Sequence, residues 1–250
     1  MPRPRTPASK KPLLISAGVA LAAVVMGLVS WQATAPADED HGWSAYQPLP
    51  SSAQSSPAPG RTAAEPRPDL LALARRDAGD KLALGRADAP VVLIEYSDFR
   101  CGYCAKFARD TEPELVRKYV EDGTLRIEWR NFPIFGAESE AAAKAAWAAG
   151  RQDRFRQFHA AAYAEGAKEK GFGPDRLLEL AREAGVPDLE RFRADMDGEA
   201  ARKALAEDQA EGYRIGVSST PSFLVNGQPI AGAQPLDAFT RAVENARAAR

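Results

Sequence analysis

Residues 91–104 read VVLIEYSDFRCGYC, and this stretch decides the fold. Val91, Val92, Leu93 and Ile94 form an unbroken β-branched and aliphatic run behind Pro90. A short run of this kind is how a strand covered on both faces of a sheet reads. Both cysteines of the chain, Cys101 and Cys104, follow it. From Ala105 to Tyr119 the composition is helical, interrupted by Pro113, which should kink or restart the helix. Asp122-Gly123 then turns the chain into Leu125, Ile127 and Trp129, alternating with Arg126, Glu128 and Arg130, which reads as a second strand. Strand, helix and strand in succession imply a parallel pair joined by a right-handed crossover.

A mostly helical stretch follows. Ser139 is placed to cap an alanine-rich helix running to Ala149, with Glu138 and Glu140 beside its positive end. Phe155, Phe158 and Ala162 mark one face of the next helix, with His159 expected to pack or cap there. Further helices are expected at 174–184, 189–196 and 199–213. The chain returns to strand at Phe223-Leu224-Val225 and Ile230-Ala231-Gly232, with Asn226-Gly227 between them as a strong hairpin signal. A last helix is expected over 235–249. The order is an α/β fold, and it resembles a thioredoxin fold with a helical insertion at about 137–213.

Working outward, the first sixty-odd residues read differently. Residues 13–31, LLISAGVALAAVVMGLVSW, carry neither charge nor proline. As a helix they would extend roughly 28 Å, about the thickness of a bilayer's hydrocarbon core. Arg3, Arg5, Lys10 and Lys11 precede them, in a basic segment 1–12 without an acid, while Asp38, Glu39 and Asp40 follow. The positive flank is expected to stay in the cytoplasm, so the rest of the chain is expected to lie outside the cell membrane, anchored by one pass. Ala33-Thr34-Ala35 offers a cleavage site for a signal peptide as the alternative, although Pro36 would directly follow the cut. Residues 32–68 hold Pro36, Pro48, Pro50, Pro57, Pro59, Pro66 and Pro68 among Ser, Ala and Gln, and are expected to be a disordered tether. His41 lies in it and is assigned nothing. Residues 69–250 form the globular domain. The chain is 45% hydrophobic and 27% charged, ordinary for a globular protein, so an apolar core is available to hold the fold. A formal net charge of −1 gives no reason to expect nucleic acid as a partner.

With the core supplying stability, two cysteines are free for chemistry. A permanent staple across so few residues would constrain the unfolded chain little. A zinc site would need a second ligand pair, which is missing. A soft copper site would want a methionine or histidine nearby, and none stands there. Redox chemistry fits best, with metal carriage and an inert pair as the alternatives. Cys101 falls where a strand ends and a helix begins, and unpaired backbone N–H groups there favour a negative sulfur. A lowered pKa raises the reactive thiolate fraction and makes Cys101 the better leaving group. Cys104, one turn on, should be more buried and act as the resolving thiol. No cofactor and no metal is called for.

The stretch VVLIEYSDFRCGYC, together with Asn131-Phe132-Pro133 and GVSSTPSFLVNGQPIAG at 216–232, resembles the DsbA-like branch of the thioredoxin superfamily, in its membrane-anchored bacterial form. The likeness covers roughly 80–250. It implies that Cys101 and Cys104 are the nucleophilic and resolving cysteines, and that Pro221 is a loop proline, cis to Thr220, lying against them. It implies too that Glu95, where the family often keeps a buried acid, accepts the proton of Cys104; the alternative is an acid reaching solvent at the strand's end. Gly102, Tyr103 and Thr220 are the expected substrate contacts. The implied partners are exported cysteine-containing polypeptides and a membrane redox partner that resets the pair.

The dipeptide Gly102-Tyr103 departs from the Cys-Pro-His-Cys of the strongly oxidising DsbA enzymes. Cys-Gly-Tyr-Cys with Thr220 before the proline is closer to disulfide isomerases, which dimerise through a folded N-terminal domain. An anchor and a proline-rich tether provide no core for such a domain. Donation of the disulfide is therefore the expected direction. Isomerase or reductase action on the same fold is the alternative, and a non-enzymatic metal or polypeptide carrier is the alternative of another class.

Overall fold

The computed structural model describes residues 68–249. The segment 13–31 and the proline-rich stretch after it lie outside those residues, apart from Pro68, which opens a short helix, α1 (Pro68–Leu71), rather than ending a tether. Among the described residues no helix is long and apolar enough to cross a membrane.

Five strands form one mixed sheet: β1 (Ala83–Leu84), β2 (Val91–Ser97), β3 (Leu125–Asn131), β4 (Ser222–Val225) and β5 (Gln228–Ala231), in the order β1-β3-β2-β4-β5. β2 and β3 run parallel, with Leu93 opposite Ile127 and Glu95 opposite Trp129. The other three pairings are antiparallel. All seven residues of β2 are buried, as its aliphatic run requires. The β4–β5 hairpin turns at Asn226 and Gly227, with φ of 42° and 79°. Both values are left-handed, which Asn and Gly tolerate best. Asn226 also accepts from the Val92 N–H at 2.8 Å, locking the hairpin onto the central strand.

The crossover from β2 to β3 is one helical run with two changes of winding. It starts as α2 (Gly102–Lys106), widens to a π turn at Phe107–Thr111, and tightens to α3 (Glu112–Leu115). A second π turn occupies Val116–Val120. Pro113 has no N–H to give to the preceding turn, and the first π turn lies directly ahead of it. This run packs with α9 (Leu236–Ala248) on one face of the sheet, where Phe107, Leu115, Phe223 and Phe239 meet Val91 and Leu93. On the other face Val92, Ile94 and Tyr96 pack with Leu70 and Phe132.

Between β3 and β4 lie α4 (Ala137–Gly150), α5 (Phe155–Ala162), α6 (Pro174–Glu183), α7 (Leu189–Asp197) and α8 (Glu199–Arg214). α4 is buried nearly all round, and its small alanine side chains let the neighbouring helices approach closely. Ser139 does not cap it. The helix begins at Ala137 behind Gly136, whose φ of 88° suits glycine, and Ser139 sits buried inside the first turn.

β3 shows what alternation alone hides. Its second face, Arg126, Glu128 and Arg130, is as buried as its apolar one. Glu128 takes Arg126 Nε at 2.9 Å and Arg130 Nη2 at 3.0 Å, together with the backbone N–H groups of Arg75 and Arg76. Arg130 continues to Glu211 of α8 at 2.8 Å, and Asp208 of α8 joins Arg75 to the Asn131 N–H. Every charge in the network has a partner, which is the condition for burying it. Glu128→Ala should cost about 3–5 kcal/mol of unfolding free energy, measured by urea denaturation, because it leaves two buried guanidinium groups without their shared carboxylate. A loss below about 1 kcal/mol would show that water reaches these arginines.

Candidate active site

The two cysteines sit where β2 hands over to α2. Cys101 is the N-cap of that helix, in extended conformation, and its Sγ accepts the Cys104 backbone N–H at 3.3 Å. A thiolate so placed fills one of the donor positions that every helix start leaves open. The Asp98 carbonyl holds the Cys101 N–H at 3.0 Å. The Asp98 carboxylate takes the N–H groups of Arg100 and Ile134 at 2.7 Å each and that of Phe135 at 3.2 Å, which ties the turn to the segment after β3.

Thr220-Pro221 is a cis peptide bond. The Thr220 carbonyl lies 3.3 Å from Cys101 Sγ, so the loop before β4 meets the nucleophile directly. Both thiols are free. Their surroundings differ sharply. The Cys101 thiol is drawn down to about 6 by its hydrogen bond with the Cys104 thiol, helped by Thr220 and by the backbone N–H groups of Cys104 and Tyr103, against the opposing effect of burial. Burial pushes Cys104 well above the usual thiol range, and the hydrogen bond and negative charge of Cys101 add to that. Cys104 has no exposed surface at all, whereas Gly102 and Tyr103 beside Cys101 face solvent, Tyr103 being 69% exposed. Lys168 reaches over Gly102, its Nζ lying 3.5 Å from where a Cβ on that glycine would sit. It borders a cleft of about 160 Å³ that also includes Arg109 and Tyr163.

Glu95 does not reach solvent. It is 1% exposed, and its Oε1 is buried with no hydrogen-bond partner. Burial raises its pKa well above the carboxylate range, and the charge of Glu112 raises it further. Two strand positions on, Ser97 shares its face of β2, and the Ser97 hydroxyl interacts with both Glu95 and Cys104. Ser97 Oγ also lies 3.1 Å from the Tyr163 hydroxyl, which donates to the Asp98 carbonyl at 2.9 Å. His159 packs, as its position beside Phe158 implies: it is buried against Trp129, Tyr163 and Phe155, and burial lowers its pKa. All the candidate positions, Glu95, Cys101, Gly102, Tyr103, Cys104, Thr220 and Pro221, thus fall at one end of the sheet around β2. Ser97 and Tyr163 join them: the two-residue spacing from Glu95 is the sequence signal for Ser97, and nothing local in the sequence marks Tyr163.

Residues 77–245 match the family model described as Thioredoxin. The chain belongs to the thioredoxin family, as a DsbA-like thiol–disulfide oxidoreductase. It is 30% identical over 151 residues to the probable disulfide bond formation protein D of Bacillus cereus, a match covering 58% of this chain and 69% of that one. It is 35% identical over 165 residues to a Na(+)/H(+) antiporter NhaA 1 of Salinispora arenicola, covering 65% of this chain but only 24% of the antiporter. Among solved structures, a thioredoxin-like oxidoreductase from Silicibacter pomeroyi superposes with a TM-score of 0.63 at 29% identity, covering 74% of this chain and 99% of that one. This thioredoxin-family domain thus carries its cysteine pair on the helical run that crosses from β2 to β3.

The unequal thiols give a pH signature. In the reduced protein the depressed Cys101 thiol contributes stability that is full above its unfolded value of 9.0 and lost as pH falls through about 6. Thiolate absorbance of the reduced protein should therefore rise with a midpoint near 6 and an amplitude of one sulfur. A single midpoint at or above the ordinary thiol value would contradict the assignment.

Proposed function

We propose that the protein donates the Cys101–Cys104 disulfide to cysteines of exported polypeptides. The observation that carries this reading is the contrast between the two sulfurs, one a helix-capping thiolate beside exposed residues, the other fully buried and protonated. A substrate thiolate attacks Cys101 Sγ of the oxidised pair, the Cys101–Cys104 bond breaks, and a mixed disulfide forms. Cys104 leaves as a thiolate and takes a proton, for which Glu95, through Ser97, is the proposed donor. A second substrate thiolate then attacks the substrate sulfur of the mixed disulfide, and Cys101 leaves as a thiolate. The substrate has lost two electrons and the pair has gained them; both substrate protons have gone to solvent, and one returns from solvent to Glu95. A low leaving-group pKa favours that last step, so the capped sulfur drives the reaction toward donation. Proton transfer runs backwards when a partner reoxidises the pair, and a carboxyl with a raised pKa suits both directions.

Gly102, Tyr103 and Thr220 are the proposed substrate contacts, with Pro221 fixing the loop that meets Cys101. The Cys-Gly-Tyr-Cys dipeptide leaves isomerisation as the competing use of the same chemistry. For location, we propose that residues 13–31 anchor the chain by a single pass, with the basic segment 1–12 inside and the catalytic domain outside, where a membrane redox partner resets the pair. The charge asymmetry supports this arrangement.

The roles of the two sulfurs separate by mutation. Cys104→Ser should accumulate mixed disulfides with polypeptides on non-reducing gels, because Cys101 still forms them and nothing resolves them. Cys101→Ser should form none. Adducts on Cys101→Ser would reverse the assignment.

A further inference from the structure

Tyr163 closes α5, and it grips the active-site turn at three consecutive residues. Its hydroxyl donates to the Asp98 carbonyl at 2.9 Å and lies 3.1 Å from Ser97 Oγ. Its ring stacks on Phe99, with centroids 5.0 Å apart and planes 25° from parallel. On the far side of the cysteines, its own carbonyl accepts Arg109 Nη1 at 2.8 Å, within the first π turn. Cys101 and Cys104 therefore lie, along the chain, between two attachments to one residue of the helical insertion. Tyr163 is only 2% exposed, so water does not compete for its hydroxyl.

The direction of these hydrogen bonds follows from what each atom can do. A carbonyl only accepts and a phenol has one hydrogen, so the Tyr163 proton is spent on Asp98. The Ser97 hydroxyl is then the donor to Tyr163. Ser97, Tyr163 and Asp98 form a one-way chain in which each bond polarises the next. It ends on the carbonyl that also accepts the Cys101 N–H at 3.0 Å. Two donors fix the peptide plane of that carbonyl and offset its negative oxygen. The plane in turn sets Cys101 as the N-cap, where Sγ accepts the Cys104 N–H.

We propose that Tyr163 is a positioning residue for the Cys101 thiolate: its hydroxyl fixes the Asp98 carbonyl, and with it the turn that presents the sulfur to the start of α2. It acts through Asp98 and not on the sulfur. The proposal rests on Cys101 as the ionised sulfur and holds for either direction of disulfide exchange. The charged and titratable groups around that sulfur are Cys104 on α2, Glu95 on β2, the Asp98 carboxylate and Lys168 over Gly102, with Arg100 directed to Phe135 and Glu138. Removing the Tyr163 hydroxyl alters none of these charges, so a moved Cys101 titration reports the hydroxyl itself.

The test is thiolate absorbance of the reduced full-length protein across pH. In Tyr163→Phe the ring can still stack on Phe99, while the Asp98 carbonyl loses a donor. The Cys101 midpoint should rise from about 6 by roughly half a unit to one unit, the size of one neutral hydrogen bond. Equilibrium with glutathione should shift toward the disulfide by roughly three- to tenfold. An unmoved midpoint in folded Tyr163→Phe overturns the proposal, since a purely structural contact would lower thermal stability alone. Should Tyr163→Phe fold poorly, 3-fluorotyrosine introduced at position 163 carries the test with the opposite sign. Its more acidic phenol donates a stronger hydrogen bond, and the midpoint should fall; a midpoint that stays or rises there overturns the proposal. A wild-type midpoint at the ordinary thiol value would instead sink the reading of Cys101 on which the proposal rests.

Discussion

A negative charge on one sulfur organises this molecule. Cys101 occupies the N-cap of α2, where a serine, threonine or aspartate oxygen ordinarily accepts the free N–H groups of the first turn. A thiol caps poorly and a thiolate caps well, so the helix start and the chemistry want the same ionisation state. That requirement explains much of the surrounding architecture. β2 is buried throughout, which fixes the point where the strand stops. Asp98 gathers three backbone N–H groups with its carboxylate, and its carbonyl holds the Cys101 N–H, so the turn between strand and helix is held from both sides. The loop before β4 supplies the Thr220 side chain, which helps to lower the Cys101 pKa.

The second sulfur differs in degree of burial and in its partners. Both cysteines join the core formed by Phe99, Trp129 and the inserted helices. Cys101 keeps 4% exposure and the helix-start hydrogen bonds, while Cys104 has none of its surface exposed. Low polarity keeps its proton on, and that leaves the pair with one ready anion and one reserve thiol. Burial also creates a transport problem, since a proton has to reach an atom with no exposed surface. Ser97 and Glu95 are polar groups threaded through an otherwise apolar contact between sheet and insertion. The insertion therefore does more than cover the sheet: through the Tyr163 hydroxyl, paired with Ser97 and the Asp98 carbonyl, it supplies a polar partner of the redox site.

Much of this was legible in the residues. Val91 to Ile94 had to be a buried strand, Asn226-Gly227 had to be a turn, and two cysteines at that spacing behind a strand had to sit at a helix start. What failed did so for identifiable reasons. Arg126, Glu128 and Arg130 alternate with apolar residues just as a solvent-facing set would, and only the approach of α8 and the segment after α1 shows that they are buried and mutually paired. Ser139 has the composition of a cap but lies within the helix, because Gly136 supplies the turn instead. Glu112 looks like any surface acid before a proline, yet it is buried against a histidine and an arginine more than forty residues away. Long-range polar packing is the part that local sequence patterns leave out.

The central claim is that the stabilised Cys101 thiolate makes this pair a disulfide donor, and its reduction potential measures that directly. Stabilising the reduced form raises the potential, by about 30 mV for each 1.4 kcal/mol in a two-electron couple. Equilibration of the Cys101/Cys104 pair with glutathione buffers should give a value well above thioredoxin's roughly −270 mV, toward the roughly −120 mV of DsbA. A value at or below that of thioredoxin would contradict the account and turn the same site into a reductase or isomerase.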